Sequence, residues 1–339
     1  MILLPSISPY MDTNISSNDT HFDTPENLVN REEELGTLRD VSQVGDNLYV
    51  HGSRGSGKTV TTLFALNEMS NVNKVYIPCI RHDTQYKVLS RILYKLTGEE
   101  TGSGYHASDL KRELNDLFRH DTLVVLDEAD FLLENDGGDT LYYLSRAKNS
   151  PSLVVISSNY ESPNVDERVR SSLYHRNVEF EDYTEKQVYR ILCDRTPHRF
   201  DSSVLKHIAS RTRNVDFALH WLNHAHKEAE DELDTDTVDY VAEEAVHLYW
   251  DSLLQDFSGH HHVLVESVSQ LASDGAVNSG TVYEKYEEIC REKERERLSE
   301  RRVSDFMKHL ELLGIIEAEY HYGGQNGKTR EIRLNEPLE

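Results

Sequence analysis

Short apolar runs alternate with amphipathic stretches through the first half of the chain. Residues 48–50, 74–80, 122–126 and 153–158 are mostly apolar, and residues 177–180 alternate polar and apolar side chains. Strands that are apolar on both faces are typical of a parallel sheet covered by helices. Helical periodicity separates the second run from the third, at residues 86–96 and 107–118. The pattern therefore predicts an α/β domain with a parallel sheet.

The second half of the chain is mostly helical. Thr184 is a candidate N-cap residue, and helical patterns follow at 188–194, 204–211, 216–230 and from 235 onward. These short helices predict a helical lid on the α/β domain.

The last part of the chain has the pattern of a winged helix, which is three helices followed by a hairpin. Helices are predicted at 263–271, 281–290 and 301–313, with Ser279 and Ser299 as N-caps of the second and third. Gly314 ends the third helix, and strands are predicted on both sides of a Gly-rich turn, at residues 315–320 and 329–334. His260, His261 and His262 are interpreted as a polar loop before the first helix rather than as a metal site.

A phosphate-binding loop follows the first apolar run. Residues 52–59 match the pattern G-x-x-x-x-G-K-[ST] at every fixed position and lead into a helical stretch. Glycines let backbone N–H groups face a phosphate, Lys58 is expected to reach the terminal phosphates, and the Thr59 hydroxyl can ligate Mg²⁺. The predicted contacts to ATP or ADP here are Ser53, Arg54, Gly55, Ser56, Gly57, Lys58, Thr59 and Val60.

Two carboxylates follow the third apolar run, at the end of a strand where open α/β sheets bind ligands. Asp127 is expected to hold Mg²⁺ through water, and Glu128 to orient and deprotonate an attacking water. The alternative is that the acidic residues 127–130 cap a helix.

Three more side chains are candidates for the same chemistry. Asn159 ends the fourth run, where an amide can position the lytic water or detect the terminal phosphate; the alternative is an ordinary turn residue. Arg168 and Arg170 could reach a phosphate in the same chain or across a subunit boundary, as an arginine finger, or could form surface ion pairs.

Basic residues cluster on the third helix and the hairpin of the predicted winged helix. Such a helix can enter the major groove of duplex DNA while the hairpin touches the backbone or minor groove. The alternative is a module that docks only to proteins. The predicted DNA contacts are Arg301, Arg302, Ser304, Lys308, Lys328, Thr329 and Arg330.

Charge and composition change this picture little. The formal net charge of −24 argues against a nucleic-acid partner. An acidic surface also suits a salt-rich cytoplasm, where the Debye length of about 3 Å at 1 M means that salt screens most of this charge. The three cysteines, Cys79, Cys193 and Cys290, lie far apart in the sequence and are odd in number. This pattern indicates reduced thiols in a cytosolic protein rather than disulfides or a zinc site. No apolar run is long enough to cross a membrane.

The order and spacing of several motifs resemble the archaeal Orc/Cdc family of replication initiators, AAA+ ATPases with a C-terminal winged helix. The motifs are 27–35, the phosphate loop, 126–132, 168–173 and 298–305, with further matches at 313–316 and 327–332. The resemblance extends from about residue 25 to 334. It predicts an AAA+ domain at 25–182, a lid at 183–250 and a winged helix at 251–339. Residues 1–24 are rich in Ser, Asn, Asp and Thr and have little apolar periodicity, so they are predicted to form a disordered arm.

The resemblance also implies a function. Such a protein binds repeats in double-stranded origin DNA, self-associates there and recruits the replicative helicase under the control of ATP and Mg²⁺. It implies that Arg31 joins the nucleotide-binding residues. A cytoplasmic, nucleoid-associated protein is expected, and so acidic a member would come from a halophilic archaeon.

One departure from the family affects the expected ATPase rate. Asp216 stands where the lid of the family carries an arginine that senses the terminal phosphate. Arg211 and Arg213 lie nearby in the sequence and are alternatives for this role. A carboxylate near a phosphate repels it, however, so slow hydrolysis and a switch-like use of ATP are predicted. Two alternatives to the initiator stay open, an ATP-controlled transcription regulator or plasmid maintenance protein, and a paralogue that acts only as a protein scaffold.

Overall fold

The computed structural model describes residues 24–44, 46–102, 104–136, 138–158, 167, 169, 171, 176–229, 232–271, 275–322 and 328–338. The chain folds as two compact units, Met1–Pro197 and His198–Glu339. The predicted disordered arm at 1–24 lies outside the described residues except for Thr24. In the described part of the chain, no helix combines the length and the apolar character that spanning a bilayer requires.

The first unit contains a sheet of five parallel strands in the order β2-β3-β4-β1-β5. All five predicted strands are found, each within two residues of its predicted ends. The strands are β1 (Leu48–Gly52), β2 (Asn73–Pro78), β3 (Thr122–Asp127), β4 (Ser152–Ser157) and β5 (Asn177–Phe180). Because the strands are parallel, the residues that follow β1, β3 and β4 meet at one edge of the sheet.

Helices cover both faces of this sheet. Successive strand residues point to opposite faces, so Val124 packs into one core and Val125 into the other. This division explains why the central strands are apolar throughout. The helices are α1 (Glu32–Val44), α2 (Lys58–Glu68), α3 (Gln85–Thr97), α4 (Ala107–Leu117), α5 (Asp130–Asp136), α6 (Asp139–Arg146) and α7 (Glu185–Arg195). Thr184 caps α7 together with Gln187, as predicted.

The second unit combines short helices with a three-stranded antiparallel sheet in the order β6-β8-β7. Its helices are α8 (Ser202–Arg211), α9 (Val215–Glu228), α10 (Thr235–Tyr240), α11 (Ala242–Leu253), α12 (Gly259–Leu271), α13 (Ser279–Glu292) and α14 (Glu300–Leu312). Its strands are β6 (Val277–Asn278), β7 (Ile316–Tyr322) and β8 (Lys328–Leu334). Helices α12 to α14 with this sheet confirm the predicted winged helix.

The structure corrects two details of that prediction. The three histidines do not form a loop, because α12 begins at Gly259 and His261 is only 3% exposed. The imidazole of His261 stacks on Phe306 with ring centroids 4.0 Å apart, so its apolar faces pack in the core of the winged helix. Asn278 rather than Ser279 caps α13, and its side chain accepts a hydrogen bond from the Gly280 N–H. The two-residue strand β6, which ends at this cap residue, was too short to be predicted.

Candidate nucleotide site and candidate DNA-binding helix

The phosphate loop connects β1 to α2 and fits closely against the segment that follows β5. Gly57 has a left-handed φ of 91°, and a Cβ there would lie 2.5 Å from the hydroxyl of Tyr183. At Gly52, a Cβ would lie 2.3 Å from the carbonyl oxygen of Phe180. Side chains are therefore excluded at both positions, and the loop keeps its backbone open to an anion.

Lys58 is buried in this loop, with 8% of its surface exposed. Its Nζ donates to the carbonyl oxygens of Gly52 at 2.7 Å and Ser53 at 2.6 Å. Burial, and then the charge of Arg54, lower the pKa of Lys58 to about 8. Phosphate oxygens can replace these carbonyls as acceptors and would stabilise the ammonium by their charge.

Asp127 is held at the end of β3 by three hydrogen bonds. Its Oδ2 accepts from the hydroxyls of Thr59 at 2.9 Å and Tyr76 at 2.6 Å, and its Oδ1 accepts from the Glu128 N–H at 2.9 Å. Burial and the neighbouring Glu128 raise its pKa to about 6. A carboxylate beside a hydroxyl is the oxygen donor set that Mg²⁺ takes, and the cation would favour the ionised form of Asp127. The residues present thus fit the predicted Mg²⁺.

Glu128 follows in an uncommon backbone conformation, with a φ of 52°. Its carboxylate forms an ion pair with a residue of the phosphate loop, Arg54, at 2.5 Å between Nη2 and Oε1. The two predicted site residues are thus brought together, and both side chains are largely buried.

Asp130 anchors the end of β4. Its Oδ1 accepts from the Ser157 hydroxyl at 2.7 Å and its Oδ2 from the Ser158 N–H at 2.8 Å. Burial raises the pKa of Asp130. The next residue is Asn159, the candidate sensor, which lies outside the described residues, as do the candidate finger residues Arg168 and Arg170.

Arg31 supports the loop from the N-terminal segment and is only 5% exposed. Its Nη2 donates to the carbonyl oxygens of Ser56 at 2.8 Å and Glu181 at 2.6 Å. Its guanidinium also lies over the Tyr183 ring, 4.2 Å from the centroid. These contacts tie together the segments before β1 and after β5 and hold the loop between them.

Tyr76, Asp130 and Tyr183 are the members of this site that the sequence reasoning did not include. Tyr76 reaches Asp127 because β2 pairs with β3, so that Pro78 lies beside Asp127, and residues two apart on a strand share a face. The sequence carried no signal for this pairing, nor for Tyr183, whose contact with the loop also depends on the tertiary structure.

Helix α14 presents its predicted DNA contacts on one side and buries the other. Val303, Met307 and Leu310 are buried. Arg301 and Arg302 lie exposed in the first turn, and Ser304 and Lys308 are partly exposed one or two turns on. In the part of the chain that the structure describes, the guanidinium groups of Arg301 and Arg302 form no hydrogen bond or ion pair.

The basic residues of the wing are arranged differently. Arg330 is 7% exposed, donates to the Tyr320 hydroxyl at 3.3 Å and lies over that ring. It therefore packs within the wing. Lys328 and Thr329 pair with Tyr322 and His321 through the strand backbone.

Asp216 has a local structural role in the second unit. It lies in the first turn of α9, whose N-cap is Asn214, and its carboxylate accepts from the Tyr249 hydroxyl at 3.2 Å. A negative charge in the first turn of a helix is favourable. This interaction is a reason for an acidic residue here that does not involve a phosphate.

Comparison with known proteins supports both halves of this description. The model of the CDC6 C-terminal winged helix domain matches residues 252–339, and a model of an AAA domain matches residues 42–158. The ORC1-type DNA replication protein of Thermococcus onnurineus is 30% identical over 93% of this chain and 86% of its own length. ORC1-type DNA replication protein 1 of Sulfolobus acidocaldarius is 30% identical over 91% of this chain and 87% of its own.

A solved structure extends the similarity to the fold. The structure of the Aeropyrum pernix ORC1 protein in complex with DNA has a TM-score of 0.69 and 26% identity, and the match covers 92% of this chain and 91% of that one. The AAA+ sheet with its phosphate loop and the C-terminal winged helix are thus features that this chain shares with replication initiators. The chain belongs to the family of ORC1-type DNA replication proteins.

Proposed function

We propose that this protein is an ATP-controlled initiator that binds repeats in double-stranded origin DNA and helps to recruit the replicative helicase. The observation that carries the DNA-binding part is the first turn of α14. Arg301 and Arg302 are exposed there and lack partners among the described residues, while the opposite face of the helix is fixed in the core. The Aeropyrum pernix ORC1 protein, whose match covers 92% of this chain, was solved in complex with DNA.

The charge of α14 indicates how the DNA would be bound. The helix carries three basic residues, Arg301, Arg302 and Lys308, and three acidic residues, Glu300, Asp305 and Glu311. It is therefore neutral overall, and its basic character is concentrated in the first turn. A surface of this kind makes few phosphate contacts and depends on base edges and groove shape for much of its affinity.

ATP and ADP act as a switch in this proposal. The buried and hydrogen-bonded cradle around Lys58 and Asp127 supports tight binding with Mg²⁺. Because Asp216 replaces the expected lid arginine, we expect slow hydrolysis. Arg168 and Arg170 remain candidates for contact with the nucleotide of a neighbouring subunit when copies assemble on DNA.

Chromosome-wide mapping of the protein in its own cells, grown at native salt, tests this function. We expect sharp peaks at a few repeat-bearing sites that coincide with replication start points. The double variant Arg301→Ala/Arg302→Ala should lose these peaks, whereas Arg199→Ala, which alters an exposed arginine of the same unit, should keep them. Peaks confined to promoters, or peaks that persist in the double variant, would contradict the proposal.

A further inference from the structure

A group of basic side chains lies at the start of α12, beside the first turn of α14. The guanidinium of Arg295, from the loop between α13 and α14, lies against Gly259: a Cβ at that glycine would be 2.4 Å from Nη1 and 2.7 Å from Nη2. The next residue is His260, whose pKa is lowered first by burial and then by the charges of Arg295 and Arg302. Three parts of the winged helix thus bring two guanidinium groups and an imidazole together.

The end of α13 determines where Arg295 lies. Its N–H donates to the carbonyl oxygen of Cys290 at 2.8 Å, and Glu294 before it has a left-handed φ of 50°. A left-handed residue, followed by a hydrogen bond from the next N–H back to the last turn, is the Schellman motif that ends many helices. This cap fixes the backbone of Arg295, and Gly259 has no side chain that would displace the guanidinium.

Arg295 differs from other basic residues of this loop in its lack of a carboxylate partner. Lys293 forms an ion pair with Glu266, and Arg297 forms one with Glu287. Arg295 is exposed, and its guanidinium forms no hydrogen bond or ion pair with the residues that the structure describes. Because the chain has 60 acidic and only 36 basic residues, an arginine placed among other cations is not explained by ion pairing.

An anion at this position would offset the repulsion between the cations. Glu294 and Glu296 flank Arg295 in the sequence, but neither forms an ion pair within the described part of the chain. Guanidinium groups match phosphate oxygens in a planar, two-pronged geometry. A phosphate between Arg295 and Arg302 would therefore gain charge-assisted hydrogen bonds from both.

His260 is held beside these arginines by a residue of α13. Its Nδ1 lies 2.8 Å from the hydroxyl of Tyr286, which also accepts from the Leu298 N–H at 3.1 Å. The other ring nitrogen, Nε2, has no hydrogen-bond partner among the residues that the structure describes. A protonated His260 can therefore donate from Nε2 to an anion that the arginines hold.

We infer that Arg295 and Arg302 hold one backbone phosphate of duplex DNA between them, with His260 beside it. Arg302 also belongs to the first turn of α14, so the site continues the surface proposed above to bind DNA. A contact of this kind carries no base sequence and instead fixes the position and orientation of the duplex on the protein. The inference rests on the proposed function and extends its DNA-binding surface to Arg295 and the start of α12.

The salt dependence of binding to a mixed-sequence DNA duplex tests the phosphate contact. Fluorescence anisotropy of the labelled duplex gives the Kd for the full chain at each salt concentration. Arg295→Ala should weaken binding about fivefold and reduce the slope of log K against log salt concentration by about 1. Arg295→Lys should keep most of the slope, because it keeps the charge.

Arg297→Ala is the matched control in the same loop. It removes a charge that Glu287 already neutralises, so the Kd and the slope should both stay as in the wild type.

Gly259→Ala tests the position of Arg295 without removal of its charge. The added methyl group would take the space of the guanidinium and displace it, while alanine favours the start of α12 as a helix. We expect Gly259→Ala to weaken binding as Arg295→Ala does. The double variant Gly259→Ala/Arg295→Ala should lose no more affinity than Arg295→Ala alone. Urea unfolding should show each variant to be as stable as the wild type.

The imidazole of His260 gives a spectroscopic test of the same contact. The groups that face it are Tyr286 from α13, Arg295 from the loop and Arg302 from α14. A phosphate between the arginines would oppose their effect, so an NMR titration should give His260 a higher pKa in the duplex complex than in the free protein. His260→Gln identifies the resonance.

The outcomes separate this inference from the proposed function. Unchanged binding by Arg295→Ala, additive losses in Gly259→Ala/Arg295→Ala, or a pKa of His260 that does not rise would overturn the inference. If Arg301→Ala/Arg302→Ala still abolished duplex binding in that case, the proposed function would stand. Failure of the wild-type chain to bind duplex DNA would overturn both.

Discussion

The two candidate sites differ in how far the fold has fixed their side chains. In the nucleotide cradle, Lys58 is 8% exposed and Asp127 3% exposed, and both are hydrogen-bonded to neighbouring groups. On α14, Arg301 and Arg302 are exposed and have no side-chain partner in the described part of the chain. A change in the cradle should thus alter the protein itself, whereas a change on α14 should alter only what the protein binds.

Lys58→Ala should give the largest effect. A ligand at about 100 times its Kd stabilises a protein by about 2.7 kcal/mol, and we expect the variant to lose nearly all of this stabilisation by Mg²⁺-ATP. The measurement is the shift of the thermal midpoint of the first unit on addition of Mg²⁺-ATP. Lys148→Ala, which removes an exposed lysine of the same unit, should keep the wild-type shift. A full shift in Lys58→Ala would show that the cradle is not the nucleotide site.

Acid should destabilise the second unit through His261. Burial and the adjacent His309 lower its pKa to about 3, and its ring nitrogens contact Ser258 Oγ at 3.1 Å and His309 Nδ1 at 3.2 Å. Unfolded, the same imidazole would bind a proton below about pH 6.5. Stability is therefore complete above that pH and falls as the pH decreases towards 3, by about 3 kcal/mol at pH 4.

Both tryptophans of the chain, Trp221 and Trp250, lie in the second unit, so urea unfolding followed by their fluorescence reports on that unit. His261→Leu should reduce the pH dependence between pH 6.5 and 4. Other histidines of the unit, including His220 and His260, also have lowered pKa values, so the informative quantity is the difference from wild type. An unchanged slope would mean that the buried imidazole does not control acid stability.

The salt dependence of duplex-DNA binding should show that Arg301 and Arg302 of α14 contact phosphates, a role that the side chains of the cradle do not have. Each arginine that contacts a phosphate contributes about 1 to the slope of log K against log salt concentration, so Arg301→Ala/Arg302→Ala should reduce the slope for duplex DNA by up to about 2. Because both side chains are exposed, the unfolding free energy should change by less than about 0.5 kcal/mol. A loss of affinity with an unchanged slope would indicate that the two arginines contact bases instead of phosphates. A destabilised variant would contradict the expectation that a change on α14 alters only what the protein binds.

The sequence predicted the fold well where periodicity and turn residues agreed. Strand β3 and helix α14 were placed within one residue of their ends because an apolar run, a cap and a glycine defined them. The order of the strands could not be predicted, since it depends on which strands pair across the sheet. His261 was misassigned because a histidine triplet is polar in composition, although the rings of His261 and Phe306 stack in the core.

The candidate site was predicted as a set of residues but not as a set of contacts. The phosphate-loop pattern and the carboxylates after β3 identified Lys58, Thr59 and Asp127, which lie together. No pattern could show that Arg54 pairs with Glu128, because the pair joins residues 74 apart in sequence. The orientation of Arg330 towards Tyr320 likewise depends on the twist and packing of the wing.

Tyr76→Phe should give the smallest effect, because it removes a single oxygen atom from the cradle. The Tyr76 hydroxyl donates to Asp127 Oδ2 at 2.6 Å, and Thr59 donates to the same oxygen, so the carboxylate keeps a partner in the variant. We expect a loss of about 1 kcal/mol in the unfolding free energy of the first unit and a few-fold weaker binding of Mg²⁺-ATP. Tyr240→Phe, at a side chain that is 89% exposed, should change neither quantity. If Tyr76→Phe were silent in both measurements, the buried hydrogen bonds around Asp127 would not be what fixes the cradle, and the contrast with the open arginines of α14 would rest on burial alone.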